Sequence, residues 1–179
     1  ICVVDQILKL NKKLGGFNAV ISGDVPLGAG MSSSAALECA TAFALSHLFN
    51  LSLERMDIVK LAQKAENEFV GVNCGIMDQF ASVFGKKGHV VKLDCRSLEY
   101  EYVPFDLQGI KIVLFDSMVK HSLASSEYNV RVSQCSEGVS IINKKYTGVK
   151  TLRDATIEMV EECLKNESSD VYDRCKYVV

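Results

Sequence analysis

Apolar and polar residues follow two different periods along this chain, and the change of period predicts where helices and strands lie. Helical spacing of apolar residues predicts a helix over residues 3–14, ended by Gly15 and Gly16. Strict alternation from Phe17 to Asp24 predicts a strand. The run from Val25 to Gly30 contains a proline and two glycines, so it is predicted to form a loop.

The middle of the chain has the strongest helical pattern. Small residues open a predicted helix over residues 32–49, which continues as an alanine- and leucine-rich run. A second helix is predicted over residues 53–69, with Ser52 as its N-cap and Gly71 just beyond its end. A short helix is predicted to open at Gly75 and to close at Gly85.

The rest of the chain mixes strands and helices without regular alternation. Three strands are predicted over residues 89–95, 98–104 and 110–117, and the pattern is helical again from about Ser125. This order favours an α+β fold over a doubly wound parallel sheet. A change of domain is predicted near Met118, which divides the chain into domains at residues 1–117 and 118–179, although no linker composition marks the position.

Composition narrows the function classes. Nearly half of the 179 residues are hydrophobic, which is enough for an ordinary folded core. The net charge is −2, and the sequence contains no basic stripe of the kind that binds nucleic acid. No apolar run is long enough for a membrane span, and no partner membrane is expected. Seven cysteines, an odd number without a CxxC pair, argue against a disulfide framework or a zinc site. Free thiols are typical of a reducing compartment, so a cytoplasmic location is expected.

A glycine- and serine-rich loop stands between the predicted strand and the helix that follows. It consists of Gly28, Ala29, Gly30, Met31, Ser32, Ser33 and Ser34. Glycines let the backbone approach a ligand, and free N–H groups at a helix start attract anions, so the loop is a candidate phosphate cradle. The loop lacks the lysine of a Walker A motif and the third glycine of a dinucleotide fingerprint. A plain strand-to-helix turn with a serine cap is the alternative.

Three side chains further along are candidates for chemistry, each with a structural alternative. Asp78 follows Gly75 at a predicted helix start, where it could orient and deprotonate an alcohol or simply cap the helix. From the residues alone, Glu66 is expected to be a solvated helix residue, which is the usual place of a glutamate. Tyr128 is expected to be an amphipathic tyrosine of the core.

Four stretches of the chain resemble the GHMP kinases, and their order and spacing are similar to those of the galactokinase branch. The first, PLGAGMSSSAALE, resembles the nucleotide loop of the superfamily. The others are AENEFVGVNCGIMDQF, GHVVKLDCRSLEYEYVPF and HSLASSEYNVRVSQC. The resemblance implies a GHMP kinase N-terminal domain, a mixed sheet packed by helices, followed by the start of an α+β C-terminal domain.

The resemblance also implies an activity and residue roles. The expected reaction is the Mg²⁺-dependent transfer of phosphate from ATP to the anomeric hydroxyl of D-galactose. Gly28 to Ser34 would bind ATP, Ser34 and Glu66 would ligate Mg²⁺, and Asp78 would be the catalytic aspartate. Gly75, Asp78 and Tyr128 would bind the sugar. The protein is expected to be a monomer.

Galactokinases also have an opening segment that contains a particular arginine and a Gly-Glu-His-Thr-Asp motif, and that segment is not found in this sequence. The chain is therefore expected to be a fragment of an active parent, inactive by itself because it lacks that arginine and the sugar clamp. Two alternatives share the motifs: a galactokinase-like sugar sensor without catalysis, and a kinase for N-acetylgalactosamine. The complete run from Ser32 to Ala36 favours catalysis over sensing.

Overall fold

The computed structural model describes residues 1–115 and 127–179, and the chain divides into two compact units at residues 1–124 and 125–179. The predicted domain change near Met118 and the residues from His121 to Ser126 lie outside the described ranges, so the domain boundary stays a prediction. The α+β class is confirmed, because the first unit combines helices with an antiparallel pair of strands.

Four helices build most of the first unit. They are α1 (Cys2–Lys9), α2 (Ser33–Leu48), α3 (Arg55–Ala65) and α4 (Met77–Phe84). A single π-helical turn, Glu66–Val70, continues α3 and ends at Gly71, which has a φ of 82°. The faces of α1, α2 and α3 that are apolar in the sequence pack together. Their core consists of Val3, Ile7, Cys39, Ala42, Leu45, Leu51, Ile58, Leu61, Ala62 and Ala65.

Two predicted helix boundaries are wrong for local reasons. α1 ends early because Asn11 adopts a left-handed φ of 56°, a conformation that asparagine tolerates better than most residues. Ser52 is not the N-cap of α3. That position belongs to Glu54, whose backbone amide donates to Oδ2 of Asp57 at 3.0 Å.

One strand pair is present among the described residues, where the sequence predicts four strands. β1 (His89–Leu93) pairs antiparallel with β2 (Tyr100–Pro104), with His89 opposite Pro104. The strand predicted from Phe17 to Asp24 is wrong, and so is the described part of the one at residues 110–117. An alternating segment becomes a strand only when a neighbour completes its hydrogen-bond ladder, and no described residue does so for these segments.

The hairpin packs against α4 and holds it in place. Phe80 and Phe84 of α4 stack with ring centroids 4.4 Å apart, and the Tyr100 ring meets both edge-on at 5.2 Å. The Tyr102 hydroxyl donates to the carbonyl of Phe84 at 2.8 Å. Because Phe80 is buried, the first turn of α4, with Asp78 and Gln79, is held relative to α2 and α3.

The second unit is helical. It contains α5 (Glu127–Lys145), a short 3-10 turn (Leu152–Asp154), α6 (Ile157–Leu164) and α7 (Ser169–Val178). Its core consists of Ile142, Val149, Leu152, Val160, Leu164, Val171 and Cys175. Gly138 is the buried glycine where α5 and α7 meet, because a Cβ atom there would lie 2.3 Å from Sγ of Cys175.

Gly138→Ala is expected to destabilise the second unit in spite of the better helix propensity of alanine. Propensity favours Ala by about 1 kcal/mol, whereas overpacking a closed core costs about 1–3 kcal/mol. Urea unfolding followed by circular dichroism should give a net loss. Cys175→Ala in the Gly138→Ala background should recover stability by removing the contact. Gly16→Ala is the control, because a Cβ there meets no atom within 4 Å; an equal loss in both single variants would refute the account.

Candidate active site

The glycine loop turns the chain sharply into α2. Gly28 and Gly30 have φ values of 75° and 73°, which side chains rarely adopt, so glycine is required at both positions. Ser32 follows with a left-handed φ of 55° and precedes the first residue of α2. The predicted loop-to-helix junction is confirmed.

No side chain caps the first amides of α2. Ser32 occupies the N-cap position, but its side chain makes no capping hydrogen bond, and no acidic residue lies in the first turn. The first N–H groups of a helix have no partner inside the helix, and the dipole of a 16-residue helix favours negative charge at that end. A plain serine cap therefore does not account for this junction, whereas an anion such as phosphate would complete it.

Asp78 and the loop face the same cavity. The cavity has a volume of about 860 Å³, and its lining includes Gly30, Met31, Ser32 and Asp78. Asp78 is an exposed residue in the first turn of α4. A candidate anion-binding loop and a carboxylate on one cavity are two parts that phosphoryl transfer to an alcohol needs. Arg55, at the start of α3, also lines this cavity and was not anticipated from the sequence.

The remaining loop residues and Gly75 lie elsewhere. Gly28 is exposed and Ala29 is half-buried, while Ser33 and Ser34 begin α2. Gly75 lines a different cavity, of about 490 Å³, together with Lys60 and Gln63 on α3. Within the first unit, Asp78 and Gly75 therefore face separate cavities, and the sugar-binding role of Gly75 stays a prediction.

Ser34 and Glu66, the two residues that the resemblance implies as Mg²⁺ ligands, lie in contact, and their role as ligands stays a prediction. The Ser34 hydroxyl donates to Oε2 of Glu66 at 3.4 Å, although the two residues are 32 positions apart. Glu66 is the first residue of the π-helical turn and is only 4% exposed, so it is not a solvated helix residue. Such turns recur at functional sites because they shift a side chain out of the helical register.

Two further polar side chains surround Glu66, and sequence analysis missed both. Gln79 is 1% exposed, and its Nε2 donates to Oε2 of Glu66 at 3.2 Å. Glu38 is 5% exposed and lies on α2, one turn beyond Ser34. Burial, and then the charge of Glu66, raise the pKa of Glu38 to about 8. A charged residue inside the apolar run of α2 was the available sequence signal for Glu38; Gln79 offered none.

The chemistry of this cluster fits a hard cation. Oε2 of Glu38 and Oε1 of Gln79 are buried and have no hydrogen-bond partner, and both accept but cannot donate when Glu38 is ionised. Carboxylate, hydroxyl and amide oxygens are ligands that Mg²⁺ prefers. Within residues 1–115 and 127–179, no three His, Cys, Asp or Glu side chains are grouped to hold a metal. A cation here would therefore depend on mixed oxygen donors.

Glu38→Gln is expected to remove a pH dependence of stability. The ordinary pKa of this carboxyl is 4.5, and its folded value is about 8, so between these values the folded state holds a proton that the unfolded state has lost. The free energy of unfolding of the unsubstituted protein should therefore fall as pH rises from about 4.5 to about 8. Metal-free urea titrations of both proteins test this. If the free energy of unfolding depended on pH in the same way in both proteins, the raised pKa of Glu38 beside Glu66 would be contradicted.

Tyr128 belongs to the second unit. It lies in the first turn of α5, is 45% exposed, and lines a cavity of about 840 Å³ with Arg131, Arg153 and Arg174. The structure thus gives it an accessible ring rather than a place in the core. Its contact with a sugar stays a prediction.

Cys39 and Cys74 of the first unit are not activated as nucleophiles. All seven cysteines of the chain are free thiols. Burial raises the pKa of Cys39 to about 12 and also raises the pKa of Cys74, beside Gly75, so both thiols stay protonated near neutral pH.

Among the described helices, none is long and apolar enough to cross a membrane.

Comparison with protein families matches the first half of the chain to a kinase domain. Residues 1–86 match the model of the GHMP kinases N terminal domain. This range includes the glycine loop, the buried cluster around Glu66 and all of α4.

Curated relatives and a solved structure agree with that match. The chain is 45% identical over 177 residues to a galactokinase from Thermotoga neapolitana, covering 99% of this chain and 50% of that protein. It is 52% identical over 159 residues to a galactokinase from Thermotoga petrophila, covering 89% of this chain and 44% of the relative. The crystal structure of Lactococcus lactis galactokinase complexed with galactose superposes with a TM-score of 0.78 at 27% identity, covering 99% of this chain and 46% of that one. The chain thus spans about half the length of the curated relatives it matches.

Proposed function

We propose that the chain forms part of an ATP-dependent sugar kinase, because residues 1–86 match the model of the GHMP kinases N terminal domain and the chain is similar to galactokinases along its length. The proposed reaction is transfer of the γ-phosphoryl group of ATP to the anomeric hydroxyl of D-galactose. The observation that carries the proposal is the shared cavity of the glycine loop and Asp78. ATP and galactose are the proposed small-molecule partners.

Each part of this cavity has a task in the proposed reaction. The loop and the first amides of α2 bind the phosphates, with the helix dipole adding to the attraction. Asp78 orients the sugar hydroxyl and accepts its proton as the new P–O bond forms. Precise placement of the two reactants supplies much of the rate, because there is little covalent work for the protein in phosphoryl transfer.

Ser34 and Glu66 are the proposed protein ligands of Mg²⁺. When bound, the ion neutralises charge on the phosphate oxygens. Ser34 is the second residue of the helix whose amides are proposed to bind phosphate, so its hydroxyl lies next to the nucleotide loop. Glu66 is held by hydrogen bonds from Ser34 and Gln79, which keeps its carboxylate directed toward that helix start. Tyr128 and Gly75 are proposed to contact the sugar.

A panel of sugars tests the function on the intact protein, meaning the full-length kinase of which this chain is proposed to be a part. Galactose should give ADP release in a coupled assay with Mg²⁺-ATP, and N-acetylgalactosamine should give little. The reverse preference would reassign the substrate. Galactose binding by calorimetry without ADP release would identify a sensor instead, which the complete run from Ser32 to Ala36 disfavours.

A further inference from the structure

The buried cluster around the proposed Mg²⁺ ligands Ser34 and Glu66 contains side-chain oxygen atoms that no hydrogen bond satisfies. Ser34 and Gln79 both donate to Oε2 of Glu66, at 3.4 Å and 3.2 Å. Glu38 is buried close enough to Glu66 for the Glu66 charge to raise its pKa, so it contributes a second carboxyl to the same space. Oε2 of Glu38 and Oε1 of Gln79 remain buried without a partner.

Such an arrangement is costly without a positive group. An unpartnered buried polar atom costs about 1–3 kcal/mol, and two ionised carboxyls in contact inside a protein repel each other strongly. Among the described residues, no lysine, arginine or histidine forms an ion pair with Glu38 or Glu66; the nearby Lys9 pairs with Asp5 and Glu68 instead. A proton shared by the two carboxyls would relieve the repulsion, whereas a divalent cation would relieve it and also use the unpartnered oxygens of Glu38 and Gln79.

We propose that Glu38 is a third side-chain oxygen donor of the divalent-cation site, in addition to Ser34 and Glu66. Glu38 follows Ser34 by four residues on α2, so both side chains project from one face of that helix. Glu66 approaches from the turn after α3, and Gln79 approaches from the first turn of α4. Three separate elements thus contribute oxygen atoms to one buried cluster beside the nucleotide loop.

Gln79 has a positioning role in this site. Its amide nitrogen donates to Oε2 of Glu66, which holds that carboxylate, and the hydroxyl of Ser34 meets the same oxygen. The backbone carbonyl of Gln79 accepts from the thiol of Cys39, so both ends of the residue are anchored to buried neighbours. Side chains that hold metal ligands in this way typically affect affinity by about 10–100-fold.

The inference rests on the proposed function, and Mn²⁺ binding tests it separately from turnover. Free Mn²⁺ is measured by electron spin resonance while the intact protein is titrated in the presence of a non-hydrolysable ATP analogue. Glu66→Gln and Glu38→Gln should each weaken binding by about tenfold or more. Glu68→Gln is the matched control, because Glu68 lies in the same turn but is exposed and pairs with Lys9 at 3.0 Å. It should bind like the unsubstituted protein.

Full Mn²⁺ affinity in Glu38→Gln with weak binding in Glu66→Gln would overturn the inference, since Glu38 would then only share a proton with Glu66. Unchanged affinity in both variants would also overturn it. Glu38→Asp keeps the charge but withdraws the oxygen by one methylene group, so its affinity should lie between those of the unsubstituted protein and Glu38→Gln. Affinity equal to the unsubstituted protein would contradict direct ligation. Galactose-dependent ADP release by the same unsubstituted preparation decides the proposed function independently.

Discussion

Asp78→Asn is expected to lower the rate of phosphoryl transfer to galactose by about 10²–10⁴-fold, the range typical of a lost general base. The amide keeps the shape of the side chain but cannot accept the proton of the sugar hydroxyl. Asp78 is exposed in the first turn of α4, so the substitution should leave the core formed by Phe80 and Phe84 intact. Steady-state kinetics of the intact protein with saturating ATP and galactose measure the effect.

The control for Asp78→Asn must remove an equivalent helix-dipole interaction. Asp170 is also an exposed acid in the first turn of a helix, α7. Each Asp→Asn change removes about 0.3–1 kcal/mol of favourable dipole interaction, so the two variants should unfold at similar temperatures. Only Asp78→Asn should lose activity. A kcat close to that of the unsubstituted protein in Asp78→Asn would mean that another group acts on the hydroxyl.

Glu66→Gln is expected to lower kcat/KM by about 10²-fold, as removal of one electrostatic stabiliser typically does. The Mg²⁺ concentration needed for half-maximal rate should rise in the same variant. The amide retains the size of Glu66 and can still meet Ser34, so the loss would come from the missing charge rather than from a cavity. Rates measured over a series of Mg²⁺ concentrations separate the two effects.

Glu68→Gln distinguishes this loss from a general disturbance of the π-helical turn. Glu68 lies two residues after Glu66 in that turn and bridges to Lys9 and Lys64 at the surface. Exposed ion pairs contribute about 0–1 kcal/mol, so the variant should be slightly less stable and fully active. Equal losses of activity in Glu66→Gln and Glu68→Gln would remove the case for a metal ligand.

The parts of the fold that could be predicted are those determined by local sequence. The alanine- and leucine-rich run of α2 and the glycine at position 71 specify structure through propensity and backbone freedom, and both were placed correctly. The segment from Phe17 to Asp24 alternates like a strand, but strand formation depends on a partner ladder that local pattern does not contain. The N-cap of α3 is Glu54 because the Asp57 carboxylate accepts a hydrogen bond from its backbone amide. Two acidic residues three positions apart predict this cap only weakly.

The parts of the candidate site that are contiguous in the sequence could be predicted, and the parts that depend on contacts between distant positions could not. The loop from Gly28 to Ser34 could be proposed as a candidate anion site from its own residues. The pairing of Ser34 with Glu66 joins positions 32 residues apart and came only from resemblance to a known family. Glu38 and Gln79 were missed because their meeting depends on how α2 packs against α4. Long-range packing of this kind carries no fixed spacing in the chain.

Phosphorus-31 NMR of the intact protein with Mg²⁺-ATP and galactose tests the central claim most directly. The account, in which the glycine loop and Asp78 form one phosphoryl-transfer site, predicts a galactose-dependent phosphate signal coupled to the anomeric proton, with equal growth of ADP. It also predicts that the signal is lost in Asp78→Asn and retained in Asp170→Asn. ATP that stays intact with galactose present, or phosphate that appears only as the free inorganic ion, would contradict the account.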